Sequence, residues 1–256
     1  MRVTGVIPAR LESSRLPGKM LLCETGKSLI QHTWESASGA KILQDSESGE
    51  PRLLIATDSL KIAANAATFG GRIAMTGEHS CGSDRIAEIV RRGDLNADII
   101  VNIQGDEPDI DPAAIDRVAS LLIDNPAVGM ATLCTPITDL ETLNDPGNVK
   151  AVCGSNGQAL YFSRSPVPFC RDGKIDELLA GESPFKLHLG IYAYRRQFLL
   201  EMTSRPPSPL ENLEKLEQLR ALEMGATILI AEVAHRSVGI DTPADYARFV
   251  ASRRAA

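Results

Sequence analysis

The chain has 256 residues, 43% of them hydrophobic, and a formal net charge of -6. That length fits one large α/β domain or two small ones and buries a sizeable core. The acidic balance excludes nucleic acid as the main partner, since such binding rests on basic surfaces, and no apolar run approaches the ~20 residues that span a bilayer.

The first predicted element is an apolar strand, Val3–Ile7, running into a loop that carries Arg10, Arg15 and Lys19. Pro8, Pro17 and Gly18 keep that loop from becoming helix. Three cations on a constrained loop suit a polyphosphate, because charge-assisted bonds to phosphate oxygens are roughly twice as strong as neutral ones. Distant carboxylates do not cancel them, since screening cuts exposed interactions beyond about 8 Å at physiological salt. A solvated basic loop is the alternative on charge alone. The strand–loop–helix setting favours a ligand, because open α/β sheets bind outside the carboxyl ends of their strands.

Further strands are expected at Arg52–Thr57, Arg72–Met75, Asp98–Asn102 and Val128–Cys134, with helices at Ser28–Ala40, Ser59–Phe69, Ser83–Arg92 and Pro112–Ile123. This alternation implies βαβ units and an α/β fold with a mostly parallel central sheet and helices on both faces. Pro112 suits a first helical position, with Asp111 as N-cap. After residue 135 the rhythm changes. Strands Ala159–Ser163 and Lys186–Arg195 flank a Pro- and Gly-bearing segment, 164–184. A helix over Glu211–Met224, a strand at Thr227–Val233 and a C-terminal helix opened by Asp241-Thr-Pro follow. The segment Ser204–Pro209 reads as a rigid, irregular connection suited to a flap. The expected layout is a single domain over 1–256, divided into halves 1–135 and 136–256, the second elaborated.

Five cysteines (Cys23, Cys81, Cys134, Cys153, Cys170) are odd in number and widely spaced, without Cys-x-x-Cys. That pattern favours reduced thiols in a cytosolic protein. The N-terminus begins directly with strand, so no signal peptide is expected and the protein reads as cytoplasmic.

A second signal for chemistry closes the strand before Val101-Asn-Ile-Gln104-Gly-Asp106-Glu-Pro108. Asp106, just past a buried strand and after a glycine that admits close backbone approach, is placed to hold a metal or to serve as a turn carboxylate. Mg²⁺ takes one or two carboxylates plus substrate phosphates and water. Asp109 and Asp111 resemble a metal-binding Asp-x-Asp, but turn and helix-cap roles are favoured there. Asp241 alone reads as an N-cap for the last helix. Zinc is excluded by the scatter of His32, His79, His188 and His235, and no P-loop, nucleophile elbow or dinucleotide fingerprint is present. Thr57-Asp58 reads as a cap for the next helix. Cys81-Gly82-Ser83-Asp84-Arg85 opens a helix whose free N–H groups suit a base edge or a phosphate as well as ordinary capping. Arg164 ends a strand. His188, in an apolar strand, reads as a satisfied core group. Glu217 projects onto an apolar flank of a continuous helix, near Leu213 and Met224, where it must pair, face a ligand or snorkel.

Seven motifs in order resemble the 3-deoxy-manno-octulosonate cytidylyltransferase (CMP-Kdo synthetase) family: Ile7-Pro-Ala-Arg10 with Arg15-Leu-Pro-Gly-Lys19, Gly82-Ser-Asp-Arg85, Asn102-Ile-Gln104-Gly-Asp106-Glu-Pro108, Tyr161-Phe-Ser-Arg164, His188-Leu-Gly-Ile-Tyr-Ala-Tyr194, Leu216-Glu217-Gln218-Leu-Arg220 and Gly239-Ile-Asp241-Thr-Pro243. The resemblance implies a nucleotide-diphospho-sugar transferase-like fold, with nucleotide binding in the first half and sugar binding and homodimer contacts in the second. The implied reaction is CTP plus the acidic eight-carbon sugar Kdo giving CMP-Kdo and pyrophosphate, for lipopolysaccharide assembly. By motif, Arg10 and Lys19 hold the CTP phosphates, with Arg15 beside them, and Asp106 and Asp241 hold Mg²⁺. Gly82, Ser83 and Arg85 seat the nucleotide, while Gln104, Arg164, His188, Glu217 and Gln218 line the sugar site. Cys81 stands where the family usually has Ser, and Phe169 where Trp commonly follows Pro-x-Pro; both are expected to tune activity. The 8-amino analogue of Kdo is an alternative substrate. The rival readings are a glycosyltransferase using Asp109 and Asp111, and a non-catalytic nucleotide-binding module.

Overall fold

The apolar run that opens the chain becomes strand β1 (Val3–Ala9), buried along almost its whole length, in a computed structural model that describes residues 1–255 apart from Ser46, Ser48 and His235. His235, read above as too isolated for a zinc site, thus lies outside the described residues. In chain order there follow α1 (Leu29–Ser38), β2 (Leu53–Thr57), α2 (Leu60–Thr68), β3 (Ile73–Met75), α3 (Gly82–Arg91), β4 (Ile99–Asn102) and α4 (Pro112–Asp124). Then come β5 (Met130–Pro136), α5 (Leu140–Asn144), β6 (Lys150–Cys153), β7 (Ala159–Ser163), α6 (Ile175–Ala180), β8 (Lys186–Arg195), α7 (Arg196–Met202), α8 (Pro209–Glu214), α9 (Gln218–Glu223), β9 (Ile228–Glu232) and α10 (Pro243–Ala255). None of the described helices is long and apolar enough to cross a membrane.

Two compact units form. One comprises Met1–Ala119 and the chain from Ser237 onward, the other Ser120–Arg236. The sequence places its division at residue 135, after the last evenly spaced strand. Yet β5 takes both its partners from later in the chain, antiparallel β8 and parallel β9, so it falls with them.

Among the described strands of the first unit every pairing is parallel: β1 with β2, β1 with β4, and β2 with β3. The order is therefore β3-β2-β1-β4, the mostly parallel α/β sheet expected from the alternation. Such strands are buried on both faces and read as continuous apolar runs rather than alternating ones; β2 and β4 are buried throughout. Ser28 caps α1 by accepting from Gln31 N, and Ser59 caps α2 from Ile62 N. Ser59 thereby takes the cap expected of Thr57-Asp58 and leaves Asp58 for another partner. Asp111 accepts from Ala113 N at 2.8 Å, the expected cap of α4.

In the second unit β5 pairs with β8 and β9, while β6 pairs antiparallel with both β7 and β8. The sequence expects one helix over Glu211–Met224; the structure breaks it into α8 and α9. Lys215 caps α8 in the left-handed region, φ 55°. The break coincides with the ion pair that Arg220 makes back to Glu211, 2.6 Å. The end of Ser204–Pro209 is equally ordered: Ser208 and Glu211 form a reciprocal capping box with Pro209 behind it, the arrangement in which Pro costs a helix nothing.

Candidate active site at the carboxyl ends of β1 and β4

Strand order turns away in opposite directions from β1 and β4. Their carboxyl ends therefore flank the gap where open α/β sheets bind ligands. The β1 loop brings Arg10, Arg15 and Lys19; the β4 loop brings Gln104 and Asp106. Gly105 permits their approach, because a Cβ there would stand 3.2 Å from Met20 Cε and 3.3 Å from the Pro8 carbonyl oxygen. Two hydroxyls of α1 fix the β4 loop from beneath, with Thr33 Oγ1 donating to Gly105 O at 2.9 Å and Ser36 Oγ to Pro108 O at 2.7 Å.

Lys19 is the hub. Gly18 precedes it at φ 66°, a conformation glycine adopts without steric cost, and turns the chain so that the lysine side chain lies 8% exposed. Its ammonium donates to Asp106 Oδ2 at 2.5 Å, Asp241 Oδ1 at 3.0 Å and the Ile240 carbonyl at 3.1 Å. An ammonium has three donors, and these bonds use them all, which a desolvated cation requires. Arg15 takes the other Asp241 oxygen at 3.0 Å.

Asp241 reaches this point from the far end of the chain for two reasons. Ile240 N donates to Asp106 O at 2.9 Å, and Ile240 is buried with Leu16, Leu29, Tyr246 and Phe249. Leu16 belongs to the β1 loop itself, so one apolar cluster fixes both the cationic loop and the Asp241 segment. Asp241 is not the cap of α10. Thr242 is: its hydroxyl accepts from Asp245 N at 3.2 Å, while Asp245 accepts from Thr242 N at 2.8 Å. Freed from capping, Asp241 turns to the cations. Glu107 pins the same segment through a hydrogen bond from Ser237 Oγ, and burial pushes its carboxyl up to about 7 against that bond.

These groups line a cleft of about 240 Å³, with Arg10, Arg15, Lys19, Gly82, Arg85, Gln104, Asp106 and Asp241 on its walls. Gly82 opens α3 against β1, where a Cβ would meet Pro8 Cγ at 3.0 Å. Ser83, expected at the nucleotide, is instead fully buried and is no part of the wall. Arg85 is only 3% exposed; its guanidinium is bound to Asp58 at 2.9 Å, to Thr76 Oγ1 and to Gly77 O at 3.1 Å. It fastens α3 to the carboxyl ends of β2 and β3 and holds the cleft wall in place. Removing one partner of such a pair leaves an uncompensated charge. Arg85→Met is expected to lose about 3 kcal/mol of unfolding free energy in urea; a loss below about 1 kcal/mol would mean the pair acts as an exposed one.

Two carboxylates meet at Lys19, and no cluster of three or more His, Cys, Asp or Glu able to hold a metal occurs among the described residues. A two-carboxylate set suits a hard cation whose remaining positions go to phosphate and water. Asp109 lies in a turn and Asp111 caps α4, the roles favoured from sequence, and Asp109 also pairs with Arg253. His79 and Ser80, beside the already noted Cys81, line the cleft without any signal in the sequence. Glu88 accepts from Gly77 N at 2.9 Å and contacts His79 Nε2 at 2.6 Å, placing His79, Ser80 and Cys81 on the cleft. In sequence Glu88 is an ordinary helical glutamate and gives no signal.

The second unit holds the other expected residues. Arg164 Nε donates to Glu214 O at 2.7 Å and Nη1 to Pro146 O at 2.9 Å. The Glu214 carboxylate accepts from Ser163 Oγ at 2.7 Å and Arg164 N at 3.0 Å. His188 Nε2 lies 2.9 Å from Thr132 Oγ1, a hydroxyl that also reaches Leu189 O at 3.2 Å and Ile191 O at 2.8 Å. Burial lowers His188 to about 3, so the ring is neutral. Gln218 is 3% exposed and accepts from Tyr192 Oη at 3.1 Å, while its Nε2 donor has no protein partner. A buried orphan donor is rare enough to require an explanation. Glu217 precedes α9, half-buried. The expected flank beside Leu213 does not exist, because the helix breaks between them and Leu213 is 80% exposed.

A family model described as Cytidylyltransferase matches residues 4–228. A 3-deoxy-manno-octulosonate cytidylyltransferase from Geobacter sulfurreducens is 46% identical over 250 residues, covering 96% of each chain. The relative of the same name from Rhodopirellula baltica is 46% identical over 254 residues, 98% of each. The chain belongs to the 3-deoxy-manno-octulosonate cytidylyltransferase family. It is an enzyme of the nucleotidyltransferase type. A solved CMP:2-keto-3-deoxy-manno-octonic acid synthetase complexed with CTP matches it with a TM-score of 0.88 at 39% identity, covering 100% of this chain and 99% of the other. A 4-diphosphocytidyl-2C-methyl-D-erythritol synthase from Anaerococcus prevotii, 11% identical with a TM-score of 0.59, covers 98% of this chain and 96% of the other and shares the fold alone. Of the two departures from the family pattern, Cys81 lies on the cleft wall at the start of α3 and Phe169 is 87% exposed.

Proposed function

We propose that the protein transfers the cytidylyl group of CTP to 3-deoxy-manno-octulosonate, forming CMP-Kdo and pyrophosphate for lipopolysaccharide assembly in the cytoplasm. The observation that carries this reading is the junction of Lys19 with Asp106 and Asp241 at the β1/β4 gap. It joins cations for a triphosphate to carboxylates for a divalent ion, in a chain whose relatives share the named activity over nearly their full length.

The sugar's 2-hydroxyl oxygen attacks the α-phosphorus in line, the bond from that phosphorus to pyrophosphate breaks, and the hydroxyl proton is lost. Such chemistry needs mainly positioning and charge stabilisation. Arg10 and Lys19 bind the triphosphate and stabilise the departing pyrophosphate, with Arg15 beside them. Gly82 presents the start of α3, and Arg85 keeps that wall in place. Asp106 and Asp241 are the residues that would hold Mg²⁺, which when bound neutralises charge developing on the phosphates. Arg164, held through Nε and Nη1, receives the sugar carboxylate. His188 hydrogen-bonds a sugar hydroxyl through its neutral ring, Gln218 donates from its free amide, and Glu217 and Gln104 accept and donate to further hydroxyls. The enzyme is a homodimer joined through its second half, where Phe169, Leu213 and Leu160 are exposed.

Pyrophosphate release tests the reading, with Mg²⁺, each nucleoside triphosphate in turn, and Kdo or its 8-amino analogue. Release that needs both CTP and Kdo supports it. Preference for the amino sugar would change the substrate, and release of nucleoside diphosphate, or CTP binding without turnover, would overturn it.

A further inference from the structure

On the sugar-site reading of Arg164 above, we propose that Lys150 is a positioning residue, holding that guanidinium in place through the turn of residues 145–148. Lys150 opens β6, and its side chain is 0% exposed. Its Nζ donates to Asp145 O at 3.0 Å and to Asn148 O at 2.6 Å. The same turn offers Pro146 O, which accepts from Arg164 Nη1 at 2.9 Å. One amino group thus grips both ends of a turn whose second carbonyl grips the guanidinium.

The turn sets its own shape. Asn148 N donates to Asp145 O at 3.1 Å, and the Asp145 carboxylate accepts from Gly147 N at 2.7 Å and Asn148 Nδ2 at 3.2 Å. Asp-Pro-Gly-Asn forms such turns readily, since Pro presets its backbone angle and Asp bonds the chain two residues on. Bonds to Glu141 O and Thr142 O tie the turn to α5. None of these bonds fixes where the turn stands relative to the sheet. Residues 145–147 are exposed, and the Lys150 side chain joins them to β6. In the β6–β7 register Lys150 lies opposite Ser163, the residue before Arg164. The lysine therefore sets the distance between the strand that carries Arg164 and the carbonyl that Arg164 bonds. Being fully buried, it touches no ligand itself.

Charge makes this placement a poor one for stability alone. Among the described residues no carboxylate bonds Lys150, whose partners are neutral carbonyls. Burial lowers its pKa, Asp145 and Glu214 oppose, and Arg164 acts with burial. A buried amino group near a guanidinium is costly, and an anion bound at Arg164 relieves that cost. The Glu214 carboxylate is already engaged by Ser163 Oγ and Arg164 N. Carbonyls hold Arg164 Nε and Nη1, which leaves Nη2 for the anion.

Steady-state kinetics of the full-length enzyme, with Kdo and CTP varied in turn, test this. Lys150→Met is expected to raise KM for Kdo about 10-fold and leave KM for CTP within about twofold, since a misplaced anchor removes uniform binding. Should methionine not fold, Lys150→Gln, a donor one bond shorter, is expected to give the same split at a smaller size. In an Arg164→Gln background, Lys150→Met is expected to change kcat/KM for Kdo by less than about twofold, because coupled residues are not additive. An equal loss in both backgrounds, an unchanged KM for Kdo or a parallel rise in KM for CTP would overturn the proposal. The tether is also read without turnover. In heteronuclear NMR spectra the Arg164 Nη protons are expected to be resolved in the wild type and averaged by rotation in the Lys150 variant; identical signals in both would equally overturn it. A wild type that does not use Kdo would sink the functional reading alone, and the guanidinium signals would still decide whether Lys150 holds Arg164.

Discussion

Asp106→Asn turns over at least about 10²-fold more slowly than the wild type, while its affinity for CTP stays within a few fold. The substitution keeps the shape of the side chain and one oxygen for Lys19, so the β4 loop remains tied to the hub. What disappears is half of the negative charge that faces the triphosphate. On the proposed reading nucleotide binding rests on Arg10 and Lys19 and is not weakened by losing an anion beside them. On the proposed reading turnover needs an ion at the phosphates, which one carboxylate from Asp241 would hold poorly, since hard cations bind by charge and ligand count. The measurement is pyrophosphate release at saturating Mg²⁺ beside calorimetric titration of CTP. A near-normal rate would remove Asp106 from the metal site, and loss of CTP binding with an unchanged maximal rate would make it a nucleotide ligand instead.

What the sequence makes legible divides by the kind of interaction involved. The parallel sheet of the first unit follows from continuous β-branched runs at even spacing, because burial on both faces leaves a local signature. Gly105 and Gly18 are readable for a similar reason: close approach and left-handed backbone both demand glycine. Asp241 is harder. Taken locally, Asp-Thr-Pro before a helix is an N-cap, and nothing near it reveals that Thr242 and Asp245 cap one another and release the aspartate. That exchange depends on Ile240 entering a cluster with Leu16, contributed from more than two hundred residues earlier. The same limit governs Arg85. Its motif marks it as nucleotide-facing, but its partner Asp58 comes from another loop, and only the fold shows the guanidinium already engaged. The Glu211–Met224 pattern fails for the opposite reason. Its apolar spacing and good helix formers predict one continuous helix, whereas a single left-handed residue, Lys215, with no glycine to announce it, splits the helix and re-aims Glu217 and Gln218.

Lys19→Met separates the pairing that the structure shows for this lysine from the triphosphate contact proposed for it. In the metal-free protein its ammonium is the positive charge between Asp106 and Asp241. Without it two carboxylates share one small space, and unit charges about 5 Å apart at an effective dielectric of about 20 repel by about 3 kcal/mol. Methionine fills a similar volume, so the loss is mainly electrostatic. The variant is therefore expected to melt at a lower temperature than the wild type in the presence of a chelator. Mg²⁺ then has an uncontested site, and a ligand at a hundred times its dissociation constant adds about 2.7 kcal/mol to the state that binds it. On the proposed reading the same ion must compete with Lys19 for those oxygens in the wild type and stabilises the free enzyme less. The expected result is a larger Mg²⁺-induced rise in melting temperature for Lys19→Met than for wild type, alongside a fall of about 10²-fold or more in kcat/KM for CTP from the missing phosphate contact. Melting does not depend on turnover, so the two roles fail separately. Equal Mg²⁺ shifts in both proteins would place the ion elsewhere, and an unchanged kcat/KM would take Lys19 off the triphosphate.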